Sequence, residues 1–119
     1  MACVNGKCQL ASSVRQLREA GMEALRDGDM VGAEALLRRS VAMSEAGGGV
    51  ATATAHSVYK LGMALHAAGR QDEAAEQFEK ALWLVRERAG CGSKLYRKIL
   101  GHFAEAMPSR APLCECEAA

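Results

Sequence analysis

The sequence predicts an all-α fold organised as a helix-turn-helix repeat array. Three observations carry that reading. Gly28, Gly47, Gly48, Gly49, Gly69 and Gly90 each close an amphipathic stretch, where helix C-termini favour glycine. The two prolines, Pro108 and Pro112, both lie near the end, so nothing earlier interrupts a helix by proline chemistry. The apolar half of the composition is dominated by Ala, Leu, Val and Met, with 4% aromatic residues and no useful β-branched alternation.

Five helices follow from the spacing. The first is expected over residues 13–27, opened by a capping box between Ser13 and Gln16, with Val14, Leu17, Gly21, Ala24 and Leu25 on one face. The second spans 30–46 behind the N-cap Asp29, with Ala33, Leu36, Leu37, Val41 and Ala42 on its apolar face. The third, 54–68, carries Val58, Leu61, Gly62 and Leu65. The fourth, 71–89, carries Ala74, Ala75, Phe78, Ala81, Leu82 and Val85; Trp83 lies off that face. The fifth starts near Ser93, carries Tyr96, Ile99, Leu100 and Phe103, and ends by Met107 because Pro108 disfavours helix before it. Residues 1–12 and 108–119 read as irregular tails around a helical domain of 13–107.

The first two helices and the next two repeat one pattern. Leu17, Ala20, Gly21, Ala24, Gly28, Ala33, Leu37 and Ser40 are each followed 41 residues later by Val58, Leu61, Gly62, Leu65, Gly69, Ala74, Phe78 and Ala81. Physically, Gly21 and Gly62, facing Ala33 and Ala74, allow a close crossing of paired helices, and Leu37 and Phe78 fill the space beside it. Gly28 and Gly69 permit the tight turn within each pair.

On Leu61-Gly62, Leu65, Gly69, Ala74, Phe78 and Ala81 the chain resembles the tetratricopeptide repeat. The first repeat matches more loosely, with Ala20 and Ala24 at positions where larger side chains are usual. The resemblance implies an α-α superhelix of two repeats, about 14–47 and 55–88, plus a C-terminal capping helix over 93–107. The family period is about 34 residues; the longer period here, with its insertion at 47–53, is similar to the kinesin-light-chain variant.

The resemblance also implies a function: a non-enzymatic protein-protein interaction module whose first helix in each pair lines a concave groove. Carried over by position, the groove candidates are Arg15, Arg18, Met22, His56, Tyr59, Lys60, Met63 and His66, joined by Lys94, Arg97 and Lys98 of the fifth helix. This set is basic, with two adaptable methionines and a tyrosine, and points to an acidic or amphipathic peptide. In the family's carboxylate-clamp subgroup, asparagines stand where Met22 and Lys60 stand here, so the amide donors of that clamp are missing.

Other readings come from other residues. Self-association through exposed helix ends would use Trp83, Leu95 and Phe103. A metal- or redox-responsive role would use the tail cysteines Cys3, Cys8, Cys114 and Cys116, but their spacings suit zinc poorly and five stacked helices hold the tails roughly 30–40 Å apart. No metal or cofactor is expected, and no carboxylate or thiol sits at ligand spacing beside His56 or His66. The net charge of +1 argues against nucleic acid, which leaves the short basic stretch 94–98 as the weakest reading. No stretch is apolar enough to span a membrane and no secretory signal is visible, so the expected location is cytoplasmic, with all five cysteines reduced.

Overall fold

The computed structural model describes residues 7–47 and 51–112. Among them are five helices: α1 Lys7–Arg26, α2 Met30–Ala46, α3 Ala51–Ala67, α4 Gln71–Ala89 and α5 Lys94–Ala106. Each packs on the next, and α3 also meets α1 and α5. The result is two layers, with α1, α3 and α5 on one side and α2 and α4 on the other, in a body of 43 × 37 × 19 Å.

Local chemistry places most of the ends. Gly28 and Gly69 have φ of +83° and +82°, the left-handed conformation that costs glycine little. Both turns close with the same pair of bonds: Gly28 N–H to Leu25 C=O and Asp29 N–H to Ala24 C=O, then Gly69 N–H to His66 C=O and Arg70 N–H to Leu65 C=O. This is a Schellman closure, repeated in register. Asp29 Oδ1 accepts from Gly32 N–H at 2.9 Å, and Ser93 Oγ accepts from Tyr96 N–H at 3.2 Å, so α2 and α5 begin at side-chain caps.

Two boundaries differ from expectation: α3 begins at Ala51, inside the expected connection of 47–53, and α1 begins before Ser13. The N-terminal tail does not extend to residue 12, because α1 begins at Lys7 and Ser13 lies inside it, not at a capping box. The cause is tertiary. Leu10 fills the space beside Gly47 so closely that a β-carbon there would meet it at 2.5 Å, which gives the extra turns a surface to bury against.

Within each pair the crossing is as tight as the glycines suggest. A β-carbon on Gly21 would stand 2.7 Å from Leu37 Cγ, and one on Gly62 would stand 3.2 Å from Phe78 Cδ2. Leu37 and Phe78 are fully buried. Phe78 also stacks on Phe103 of α5, with centroids 5.0 Å apart and rings inclined by 11°. The capping helix is therefore fixed through the same side chain that fills the second crossing.

Between the repeats the contact is partly polar. Ser40 Oγ donates to Val14 C=O at 3.0 Å and lies 2.7 Å from Ser57 Oγ; Ser44 Oγ and Thr54 Oγ1 are 2.5 Å apart. All four hydroxyl residues are buried. In the second repeat the counterpart of Ser40 is Ala81, buried in the apolar core.

Surface charges tie the outer layer. Glu34 pairs with Arg38 at 2.9 Å and with Arg70, which also pairs with Glu73. The Glu73 carboxylate lifts the Arg70 pKa above its ordinary value, and Arg70 in turn lowers that of Glu73. Lys80 reaches Glu45 of α2 at 3.3 Å, in place of the intrahelical Glu76 partner that the i,i+4 spacing suggests. Arg110 pairs with Asp72 at 2.5 Å and folds the chain after α5 against the start of α4.

Two glycines of similar helical setting should respond in opposite directions. Gly62→Leu forces bulk against Phe78 and is expected to lower unfolding free energy by about 1–3 kcal/mol. Gly101→Ala, where a β-carbon meets nothing within 4 Å, is expected to raise it by roughly 0.5–1 kcal/mol. Urea denaturation midpoints of the two variants and the parent check both signs.

Candidate functional site

The inner layer positions the site. Helix α3 lies between α1 and α5, and its half-buried ridge forms the floor between them. One turn of α3 presents His56, Tyr59 and Lys60, the next Met63, and the last His66. Arg18 comes from α1, and Lys98 and His102 from α5.

Around Tyr59 these residues converge. Its ring lies 6.0 Å from that of His56 and is stacked at 5.7 Å on that of His102. Lys60 Nζ sits 4.7 Å from the ring centroid, a cation-π arrangement. Arg18 reaches across from α1, donating to Ala53 C=O and Ser57 Oγ at 3.4 Å each. Tyr59 itself is fully buried, contrary to the expectation of an open contact surface, because α3 is flanked on both sides. Its hydroxyl makes no hydrogen bond with the described residues.

The electrostatics have one sign. Burial, followed by the charges of Arg18, Lys98 and Lys60, pushes the His56 pKa below its ordinary 6.5. Burial likewise lowers that of Arg18, with Arg15 acting in the same direction against Glu19. No described carboxylate forms a salt bridge with Arg15, Arg18, Lys60, Lys94 or Lys98, whereas Arg38, Arg70, Lys80 and Arg110 all have one.

Toward the C-terminal end of α3 the floor opens into a cavity of about 350 Å³. Leu25 of α1, Met63 of α3, Phe78 of α4 and Ala106 of α5 give it apolar walls, and His66, His102 and Glu105 stand at its polar side. His66 Nδ1 is 2.7 Å from Gln71 Oε1, which holds that ring.

The structure thus brings together Arg18, His56, Tyr59, Lys60 and Lys98 around one point, and Met63 and His66 at the cavity. Met22 is half-buried against the core, and Arg15 and Lys94 are exposed beyond the cluster. Arg97 turns back to donate to Gly92 C=O at 2.9 Å. Leu25, His102 and Glu105 belong to the site and are not among the sequence-derived candidates. His102 carries a legible signal, since it lies one turn beyond Lys98 on the same face of α5.

The residues considered for self-association separate. Trp83 is 59% exposed, on the outer layer; Leu95 is half-buried; Phe103 is fully buried against Phe78 and offers no surface. Cys91, in the turn between α4 and α5, is disulfide-bonded, so the expectation of five reduced thiols does not hold there. The cysteines of the metal or redox reading lie outside the described residues (Cys3, Cys114, Cys116) or have an undescribed side chain (Cys8). Among the described residues no cluster of three metal-binding side chains occurs, and no helix is long and apolar enough to cross a membrane.

Paired helices stacked in two layers, with a grooved inner layer, define a helical-repeat array of the kind that holds other proteins. A family model described as tetratricopeptide repeat matches residues 16–87, and the chain belongs to that family, whose repeats are typically non-enzymatic interaction modules. The match is to the tetratricopeptide repeat as such and does not single out the longer-period kinesin-light-chain variant. No curated protein and no solved structure matches the chain.

The depressed pKa of His56 has a consequence for stability. Between its folded value and 6.5 the unfolded chain binds the proton more readily, so His56 contributes less to stability as pH falls through that window. His56→Gln is expected to flatten this part of the profile: between pH 7.5 and 5.5 its melting temperature should fall less than that of the parent, as measured by circular dichroism.

Proposed function

We propose that this chain binds an acidic or amphipathic segment of a partner protein in the groove between α1 and α5, over α3. The observation that carries this reading is the concentration of cations around His56 and Tyr59. Arg18, Lys60 and Lys98 act there together, and none forms a salt bridge with a described carboxylate. All three raise the cost of protonating His56. An acidic ligand relieves that mutual repulsion, so complementarity favours binding and fast association.

The proposal requires no catalytic chemistry. Among the described residues the imidazoles of the groove lie near cations, an amide, an aromatic ring and Glu105, and none is hydrogen-bonded to a nucleophile. The groove instead offers flat ring surface, flexible Met63 and several donors, which suits contact with a polypeptide.

The test is direct. Fluorescein-labelled peptides alternating Asp or Glu with Leu are titrated against the protein by anisotropy. The double variant Lys60→Glu/Lys98→Glu is expected to bind about tenfold more weakly or worse, with its helical circular dichroism unchanged. These two positions are chosen because Arg18 also holds Ser57 and the backbone of α3. Affinity in the parent should fall with added salt. Equal affinity of parent and double variant for every acidic peptide would refute the proposal.

A further inference from the structure

The array ends in a face formed by α4 and α5, on the side away from α2. On α4, Gln77 and Lys80 look toward α2, where Lys80 meets Glu45. The opposite flank of α4 carries Asp72, Glu76, Glu79 and Trp83, whose spacing of four, three and four residues puts them on one stripe. All four are exposed, Trp83 by 59%. On α5, Tyr96, Ile99 and Phe103 are buried, which turns Lys94, Arg97, Gly101 and Ala104 outward on a second stripe. A β-carbon on Gly101 would meet nothing within 4 Å.

Charge divides this face along the helix axes. Helices α4 and α5 are antiparallel neighbours, and Arg110, beyond the end of α5, pairs with Asp72 at the start of α4. The acidic start of α4 therefore lies beside the end of α5, which adds Glu105. The basic start of α5 lies beside the end of α4, which adds Arg86. Within one copy Glu76 and the level of Arg86 are roughly 15 Å apart, at 1.5 Å per residue, too far for the two halves to neutralise each other. Glu76, Glu79, Glu105, Arg86, Lys94 and Arg97 form no salt bridge among the described residues.

A two-fold axis through the middle of the face turns it end for end and lays α4 of each copy along α5 of the other. The two helices then run parallel, because α4 and α5 are antiparallel within one copy. In that direction α4 presents three acids and then an indole, while α5 presents two bases and then two small residues. With Glu76 level with Arg97 of the second copy, Asp72 falls within one residue of Lys94 and Trp83 is level with Ala104. Arg86 falls two residues past Glu105. The small side chains leave room for the indole, and symmetry makes every pair occur twice. Two such helix pairs bury on the order of 1,000 Å² in total, in the range of weak, reversible association.

We propose that the end face of α4 and α5 is a homodimer contact, in which the acidic stripe and Trp83 of one copy pack on the basic and small-residue stripe of another. Self-complementary charge selects a second copy as the occupant, since a two-fold pairing alone satisfies both halves of the face at once. The contact uses neither Arg18, Lys60 nor Lys98, so it stands or falls apart from the peptide reading.

The experiment is sedimentation velocity of the full chain across about two decades of concentration, with the emission of Trp83, the single tryptophan, read in the same samples. The parent is expected to pass from monomer to dimer, and its emission to move to the blue as the exposed ring is covered. Glu76→Arg and Arg97→Glu, each alone, set like charges together at two symmetric places and should weaken the dimer by about tenfold or more. Mixed in equal amounts, the two variants should form a heterodimer as tight as the parent's dimer, because acid meets base again at both places. Trp83→Ser should weaken the dimer by about tenfold. Circular dichroism spectra equal to the parent's separate a lost contact from a lost fold. Every run is repeated with dithiothreitol, and a dimer that disappears there is a disulfide cross-link and overturns the proposal. A monomer at every concentration overturns it too, as does a dimer indifferent to both single charge reversals. Single losses that the mixture does not recover overturn the pairing of Glu76 with Arg97.

Discussion

The structure depends on one missing atom, repeated. At Gly21 and at Gly62 the absence of a β-carbon lets the second helix of each pair lie close enough for Leu37 or Phe78 to press against the backbone of the first. A methyl group at either place would stand inside or at the edge of van der Waals contact. The crossing sets how steeply each pair is inclined, and the stacking of pairs inherits it. Phe78 carries the effect furthest, because it also stacks on Phe103 and forms part of the cavity wall. One aromatic ring therefore links the packing of the second repeat, the docking of α5 and the shape of the groove.

The repeats are copies in their turns and differ at their joints. The Schellman closures at Gly28 and Gly69 have the same hydrogen bonds in the same register. The interface between α2 and α3 is threaded by Ser40, Ser44, Thr54 and Ser57, while that between α4 and α5 is apolar. Buried hydroxyls in a mutually satisfied set accept few alternative alignments, so they fix one repeat against the next where Ala-rich surfaces alone would slide. Arg18 joins this set through Ser57 and stands in the groove as well. The polar joint and the proposed binding groove thereby share a side chain.

How much of this the sequence discloses depends on the range of the interaction that decides each feature. Asp29 and Ser93 cap their helices through bonds to residues three positions away, and glycines close the turns locally, so α2, α4 and α5 fall where their sequences place them. The start of α1 is decided by Leu10 meeting Gly47, a contact between distant parts of the chain, and no local signal marks it. Tyr59 reads as a surface residue on its own helix; its burial follows from α3 having neighbours on both sides. Lys80 has an ideally spaced Glu76 in its own helix and yet pairs with Glu45, because the neighbouring helix supplies a carboxylate at reach. In the groove, the basic candidates were visible from repeat position. The separation into a cationic part and an apolar cavity was not, since it depends on α1 and α5 both flanking α3.

Helix α5 is held on one side of the array only, by α4 with a lighter touch on α3, and nothing among the described residues packs on its other face. In a one-dimensional stack the terminal unit opens first. Lys98 and His102 belong to that unit, whereas Tyr59 belongs to the interior. The groove is complete only in the fraction of molecules whose last helix is closed, and a ligand that touches all three inner helices raises that fraction. Slow hydrogen exchange in α5 thus becomes a gauge of occupancy at a distance from the ligand's own atoms, and the terminal helix acts as the latch of the groove as well as its wall.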